Sequence, residues 1–327
     1  MALVLTDLAD QVVQLYGPAF VTAIKTRTFL LNRLDALGLV RQGNARINWQ
    51  VNYAGNTQVG SYAEGDAAAG SGKQVYHPAS LEYKSVRAEI GLGGLTLATS
   101  EQGGTFIDML RSELDNGVRD MRLSIESQLL GDGTGNSAKD ITGMLAAIGE
   151  TGTYAGIDRS THTWWKSYIN DNTGTPRNLS EDLVADVVDE VISRGADQST
   201  LELWCGPTQW RKFGALYKGE RRQTPTRLSG GYMALDFEGT QVIRCPGYSA
   251  GRMDAVDVSQ FSYEMLPVTA NSELARSLRN VVAVPGVPGF GILLLGATAD
   301  ALEMWLIHYA QLVCKNSYAQ GAITDLA

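Results

Sequence analysis

A chain of 327 residues that is 44% hydrophobic and 19% charged can bury one large core or two ordinary ones, which excludes a disordered linker protein. A net charge of −8 excludes a polycation that coats nucleic acid by charge alone. Cys205, Cys245 and Cys314 lie far apart with no C-x-x-C pair, which excludes a disulfide framework or a zinc cluster made from them and points to reduced, buried thiols.

The N-terminus lacks the basic and long apolar segments of a secretion signal. Thr6 can cap a short amphipathic helix using Leu8, Val12 and Leu15 and closed by Gly17. Thr22 to Gly38 follows as a mixed arm with too little apolar surface for a domain, so it is expected to pack on something else. Ile47, Trp49, Val51 and Tyr53 alternate with polar residues, the period of a half-buried strand. A soft Gly/Ala/Ser segment, Gly60 to Gly72, separates them from a second alternating run, Ala79 to Ile90. Strand, flexible tip and strand predict a long hairpin reaching roughly 40 Å at ~3.3 Å per residue. A two-stranded ribbon of that length cannot bury itself, so it implies a partner.

Thr105 to Leu130 carries the strongest helical stripe, with Phe106, Leu110, Leu114, Val118, Met121, Ile125 and Leu129 spaced by three and four. Gly131 to Gly135 ends it; the Asp132-Gly133-Thr134-Gly135 run reads as a helix stop and turn, because a phosphate loop or a Ca²⁺ loop would need residues that are absent. Tyr154 to Tyr168 gathers Tyr154, Trp164, Trp165, Tyr168 and His162 beside Gly and Ser/Thr, which favours a contact surface or a loop pinned into a core. Ser180 opens a helix with a Leu183, Val184, Val187, Val188, Val191, Ile192 ridge, stopped by Gly195. The strand Leu201 to Cys205 leads into a short helix bearing Trp210, Phe213 and Tyr217, and later strands are expected at Val242-Ile243, Val281 to Val284 and Ile292 to Leu295. This order reads as a mixed α+β protein. The most apolar stretch, Val281 to Ile307, holds Pro285, Pro288, Asp300 and Glu303, so no bilayer span is expected and the chain reads as a soluble protein made in a cytoplasm.

Gly247-Tyr248-Ser249-Ala250-Gly251 matches the G-x-S-x-G nucleophile elbow, and Asp300 and His308 follow in hydrolase order. The elbow needs a strand before the serine and a helix directly after it. Pro246 and the residues Arg252 to Asp257 do not provide that context, so a Gly-rich turn is the better reading. His77, His162 and His308 share no ligand spacing, and no catalytic, metal or cofactor residue is assigned. The acidic face of Glu181, Asp182, Asp186, Asp189 and Glu190 and the basic residues Arg211, Lys212 and Lys218 to Arg222 suit two solvated faces, or complementary charge between copies.

Several separated segments resemble the major capsid proteins of tailed bacteriophages, which have the Hong Kong 97-type fold. They are Thr26 to Leu34, Leu81 to Lys84, Leu129 to Gly135, Tyr154 to Arg159, Trp164-Trp165, Gly206 to Lys212 and Leu312 to Asn316. Their order, with a long hairpin ahead of a long helix, is more specific than any one of them. The resemblance implies an N-terminal arm over 1–45 and an extended loop over 46–95. It implies a peripheral domain over 96–180 and 285–327 with its spine helix at 105–130, and an axial domain over 181–284. It implies no enzymatic activity and no cofactor, but a homo-oligomer of hexamers and pentamers forming an icosahedral shell. That shell would enclose double-stranded DNA, made in the bacterial host cytoplasm, with a portal and separate scaffolding and decoration proteins as partners and no membrane. Phe29, Arg33, Trp49, Tyr62, Glu64, Lys73 and Tyr83 are the expected inter-subunit contacts of arm and loop, and Trp164, Trp165 and Trp210 are expected to anchor loops or meet neighbours. Many relatives begin with a long scaffolding segment, whereas here the arm starts almost at Met1. Some relatives join neighbours through Lys–Asn isopeptide bonds, for which Lys73 and Asn316 are chemically suitable. An encapsulin-like compartment and a serine hydrolase using Ser249, Asp300 and His308 stand as alternatives.

Overall fold

The computed structural model describes residues 28–56, 59–66, 73–93, 106–216, 226–227, 233–267, 281–283, 289–295 and 301–327. The helix expected at Leu8 to Leu15, most of the Gly/Ala/Ser segment, Tyr217, Lys218 to Arg222 and Asp300 lie outside those residues.

Two sheets organise two hydrophobic cores. The first is built on the strand Ala301–Cys314, whose Met304, Leu306, Ala310, Leu312 and Cys314 recur every second residue and are buried together. Lys84–Gly93 runs antiparallel along it, from Ala301 opposite Gly93 to Ala310 opposite Lys84. Phe290–Leu295 and Phe261–Met265 also pair with it, and carry Val281–Ala283 and Val40–Gln42 in turn. The helix Phe106–Leu129 lies on this sheet, with Val118, Met121, Ile125 and Leu129 buried at spacings of three and four. Helix and sheet approach closely at Gly117, where a Cβ would come within 2.8 Å of Ile90 Cδ1.

The second core is a seven-stranded sheet with Leu201–Cys205 near its centre, flanked by Met253–Asp257 and Thr240–Arg244. All five residues of Leu201–Cys205 are buried, as expected of a strand covered on both faces. Glu181–Ser193 packs Val184, Val187, Val188 and Val191 into this core, and the Ser180 hydroxyl caps it by accepting from Leu183 N–H at 3.4 Å. Pro207–Leu216 adds Phe213, edge-on to Phe237 at 6.0 Å. The chain crosses between the cores more often than a division at 181 and 284 implies. Phe261–Met265 joins the first sheet, while Tyr168–Asn170 and Gly321–Ile323 join the second.

Two sequence expectations are corrected here. The arm expected through 45 is, over residues 28–42, part of the body. Phe29–Ala36 is a helix with Phe29, Leu30, Leu31 and Leu34 buried, and Val40–Gln42 is a strand of the first sheet. Thr28 makes no side-chain cap for that helix; the Glu126 carboxylate of the long helix accepts from Leu30 N–H at 3.1 Å instead, placing negative charge at a helix N-terminus. The hairpin is also shorter than expected. Ile47–Ala54 pairs with Val75–Leu81, but the alternation from Ala79 to Ile90 breaks at Glu82 and Tyr83, and Lys84–Gly93 leaves for the first sheet. The paired ribbon is thus about 25 Å long at ~3.3 Å per residue. Gly247 to Gly251 is, as the sequence reading has it, a turn, with positive φ at both glycines, and the strand Met253–Asp257 follows it rather than a helix.

Candidate assembly interface

Among the described residues, the ribbon is an element that the body leaves largely exposed. Its root is fastened to the body by side chains from both strands. Trp49 donates its indole N–H to the Lys315 carbonyl at 3.2 Å, and Tyr53 stacks on Trp164 at 4.5 Å between ring centroids and 11° between planes. His77 and His162 meet edge to face at 5.0 Å, and both rings also touch Trp164. Ser80 N–H donates to the Ala155 carbonyl at 3.0 Å. Tyr83 closes the root: its hydroxyl donates to the Asn44 carbonyl at 2.8 Å, and burial together with the Glu264 charge pushes its pKa up to about 12.

The aromatic segment behind these contacts is itself pinned. Tyr154 and Trp165 are fully buried, Trp165 N–H reaches the Tyr154 carbonyl at 3.2 Å, and the Tyr154 hydroxyl accepts from Cys314 N–H at 2.8 Å. Arg159 fills the space beneath, donating to the carbonyls of Ala146, Ala147 and Thr151 and to the Ser317 hydroxyl. Its guanidinium is thereby spent on backbone oxygens, and the segment makes a rigid seat for the ribbon root.

Away from the seat the ribbon exposes large apolar side chains. Tyr76 is 55% exposed, and beyond the paired region Val59 is 81% and Tyr62 85% exposed. Ala63 to Asp66 form a tight turn: Asp66 N–H bonds the Ala63 carbonyl at 3.1 Å, its carboxylate accepts from Ala63 N–H at 2.7 Å, and Gly65 takes φ +94°. Glu64 rides on that turn, exposed.

The expected contact residues therefore separate by where they sit. Tyr62, Glu64 and Lys73 are exposed at the far end of the ribbon. Trp49, Tyr83 and Trp164 hold the ribbon to its own subunit, and Trp165 anchors the segment behind it. Phe29 and Arg33 correct the expectation most clearly: both are buried within the subunit, Phe29 edge-on to Trp204 at 5.4 Å and Arg33 in an ion pair with Glu202. Phe29 lies on the buried face of its helix. Trp210 is half-buried against the second core. Asn316 turns its side-chain oxygen to Tyr318 N–H at 3.2 Å, while Lys73 is exposed.

Of the hydrolase residues, the described two, Ser249 and His308, are both engaged elsewhere. Ser249 is exposed, with its hydroxyl 3.4 Å from the Ala250 carbonyl, and both His308 nitrogens are occupied, by Tyr263 at 2.7 Å and by the Gly289 carbonyl at 3.0 Å. Among the described residues no group of three His, Cys, Asp or Glu side chains could hold a metal, and no helix is long and apolar enough to cross a membrane.

A family model described as SU10 major capsid protein matches residues 19–278. No curated protein matches by sequence. Among solved structures, the capsid of cyanophage A-1(L) is similar at a TM-score of 0.76 and 19% identity, covering 92% of this chain and 96% of that one. The SrpI encapsulin of Synechococcus elongatus PCC 7942 is similar at a TM-score of 0.59 and 12% identity, covering 92% and 89%. The capsid of a native GTA particle follows at 0.53 and 12%, covering 90% of each chain. At these identities the likeness concerns the fold, and the α+β fold is the Hong Kong 97-type shell fold.

Proposed function

The chain belongs to the SU10 major capsid protein family, and from that premise we propose how one subunit builds the icosahedral shell. Copies join as hexamers and pentamers, and each lays its ribbon over a neighbour. The shell encloses double-stranded DNA and meets a portal, with separate scaffolding and decoration proteins as further partners. Assembly takes place in the bacterial host cytoplasm and ends in the virion capsid.

The observation that carries this reading is the division of the ribbon. Its root is locked by rings and hydrogen bonds to its own body, while its far end holds Val59 and Tyr62 in solvent at 81% and 85% exposure. A subunit with two complete cores gains nothing for itself by holding those side chains out. Repeated weak contacts of this kind sum over a closed shell, so each can be small while the assembly is very stable. The body suits the task, since helix and first sheet form one continuous core that can tilt as a unit.

Negative-stain electron microscopy of the purified protein, alone and with a candidate scaffold, tests the reading. Angular shells, or rings of five and six, are expected; a homogeneous monomer or dimer under both conditions would refute it. Nuclease-protected DNA in shells recovered from infected cells marks the phage capsid, whereas a protein cargo without DNA would favour the encapsulin alternative.

A further inference from the structure

We infer that the ribbon's acidic tip docks in a basic groove at the root of the next subunit's ribbon, so that tip and root are the two halves of one head-to-tail contact. The inference rests on the shell reading and names the partner surface, a second copy of this chain.

The groove has a volume of about 850 Å³ and lies between the strand leaving the ribbon, the end of the long helix and the turn after it. Lys84 and Arg87 line one wall, Ser127 and Gln128 a second, and Lys139 and Asp140 the third. Three cations against one carboxylate give it positive character. Arg87 is shared with Glu89 at 3.0 Å, but among the described residues neither Lys84 nor Lys139 has an ion-pair partner. The Asp140 carboxylate is folded against Gly135.

The third wall is held in an unusual conformation. Asn136, Ser137 and Ala138 are consecutive left-handed residues, with φ of 50°, 59° and 62°, and none of them is glycine. A left-handed residue with a Cβ costs about 1–2 kcal/mol. Such a run persists where its surroundings over-determine it, and strain of this kind collects at functional surfaces. Here Lys84 Nζ donates to the Ala138 carbonyl at 3.0 Å, so the ribbon's exit strand and the strained turn form one wall system.

The ligand for this groove is on the same chain but at the other end of the ribbon. Tyr62, Glu64 and Asp66 put an aromatic ring and two carboxylates on one tight turn, with Lys73 the nearest cation where the chain re-enters the ribbon. A ribbon about 25 Å long separates that turn from its own root. Complementary surfaces at opposite ends of a rigid element satisfy each other between copies, and a heterologous contact repeated about an axis closes a ring. Charge of opposite sign sets the register of such a ring more than its strength.

A cysteine pair tests the contact directly. Glu64→Cys with Lys139→Cys in one chain places new thiols on tip and groove, and the native Cys205, Cys245 and Cys314 are all fully buried and do not compete. Oxidised shells of this variant are expected to give a ladder of linked subunits ending at five and six on a non-reducing gel. Each single-cysteine variant should stay monomeric on the same gel. Shells from the double variant with only the monomer band overturn the inference and leave the shell reading standing, whereas wild-type protein that forms no shells overturns the shell reading itself. If the double-cysteine chain does not assemble, charge exchange decides. Glu64→Lys or Lys139→Glu alone should lose most of the shell yield and the combined variant should regain it; failure of the combination to regain yield, or single reversals without effect, counts against the contact.

Discussion

At the scale of single residues, one buried ion pair ties distant segments together. Arg33 and Glu202 are each under a tenth exposed and lie 169 positions apart, joining the first helix to the second sheet; Trp204 N–H adds a bond to the same carboxylate at 2.8 Å. Removing one member leaves the other charged and dry. Arg33→Met is therefore expected to destabilise the subunit by about 3–5 kcal/mol, read as a lower urea midpoint, with much of the loss returned in Arg33→Met/Glu202→Met. A loss below about 1 kcal/mol for the single variant would mean water reaches Glu202. His308 makes the pH counterpart. Its Nδ1–H donates to the Gly289 carbonyl, which can only accept, so Nε2 accepts from the Tyr263 hydroxyl and the ring is neutral. Burial lowers its pKa from 6.5 to about 4. Between those values the unfolded chain binds the proton and the folded one does not, so His308's contribution is whole above pH 6.5 and is lost as pH falls towards 4. The full loss is roughly 3 kcal/mol at ~1.36 kcal/mol per unit. Unfolding midpoints of unassembled subunit from pH 7 to 4 should fall more steeply for wild type than for His308→Asn; parallel curves would remove His308 from the account.

At the scale of elements, periodicity was legible wherever one partner covers one face. The long helix and the Ser180-capped helix stand where their stripes place them, within a residue or two. The central strands were harder to see. Met253–Asp257 is buried at all five positions, including Asp254 and Asp257, so it has no alternation to read. Its carboxylates are tolerated because Arg252 and Tyr248 meet Asp254, and Thr200 and Ser259 meet Asp257. The same limit explains the ribbon. Ala79 and Leu81 face inward in the ribbon, and Val86, Ala88 and Ile90 face inward in the first sheet, so the period of two continues with its phase shifted by one where the chain changes sheets at Glu82 and Tyr83. Phe29 and Arg33 stand in a segment that reads as an arm with too little apolar surface for a domain, because the partners that bury them, Trp204 and Glu202, are far away in sequence. The seat of the ribbon carries the prediction for this scale. Trp164 touches Tyr53, His77 and His162 at once, and Trp164→Ala should release the root while leaving the Trp165 core intact. Amide exchange in Ile47–Ala54 and Val75–Leu81 is expected to rise at least tenfold with little change in global stability. Unchanged exchange would assign the hold on the root to Trp49 and Tyr83.

At the scale of the whole molecule, the described residues form a body with two cores from which the ribbon stands out, and that separation makes assembly testable apart from folding. Among the described residues, neither core draws on the residues beyond the ribbon's paired region. The ribbon's root is closed by Trp49, Tyr53 and Tyr83, none of which lies in its tip. Deleting Asn56 to Gly72 and joining the strands by a short turn therefore leaves the contacts that stabilise the body, while removing Val59, Tyr62, Glu64 and Asp66 together. The shortened subunit is expected to keep the wild-type circular dichroism and a single cooperative unfolding transition, and to form no shells. If the tip only decorates the surface, normal shells will form. If it also nucleates folding, the shortened chain will lose its cooperative transition. Only a folded, soluble, shell-incompetent subunit fits a tip whose partner is another copy, because a closed shell gathers its stability from contacts that no single subunit can make with itself.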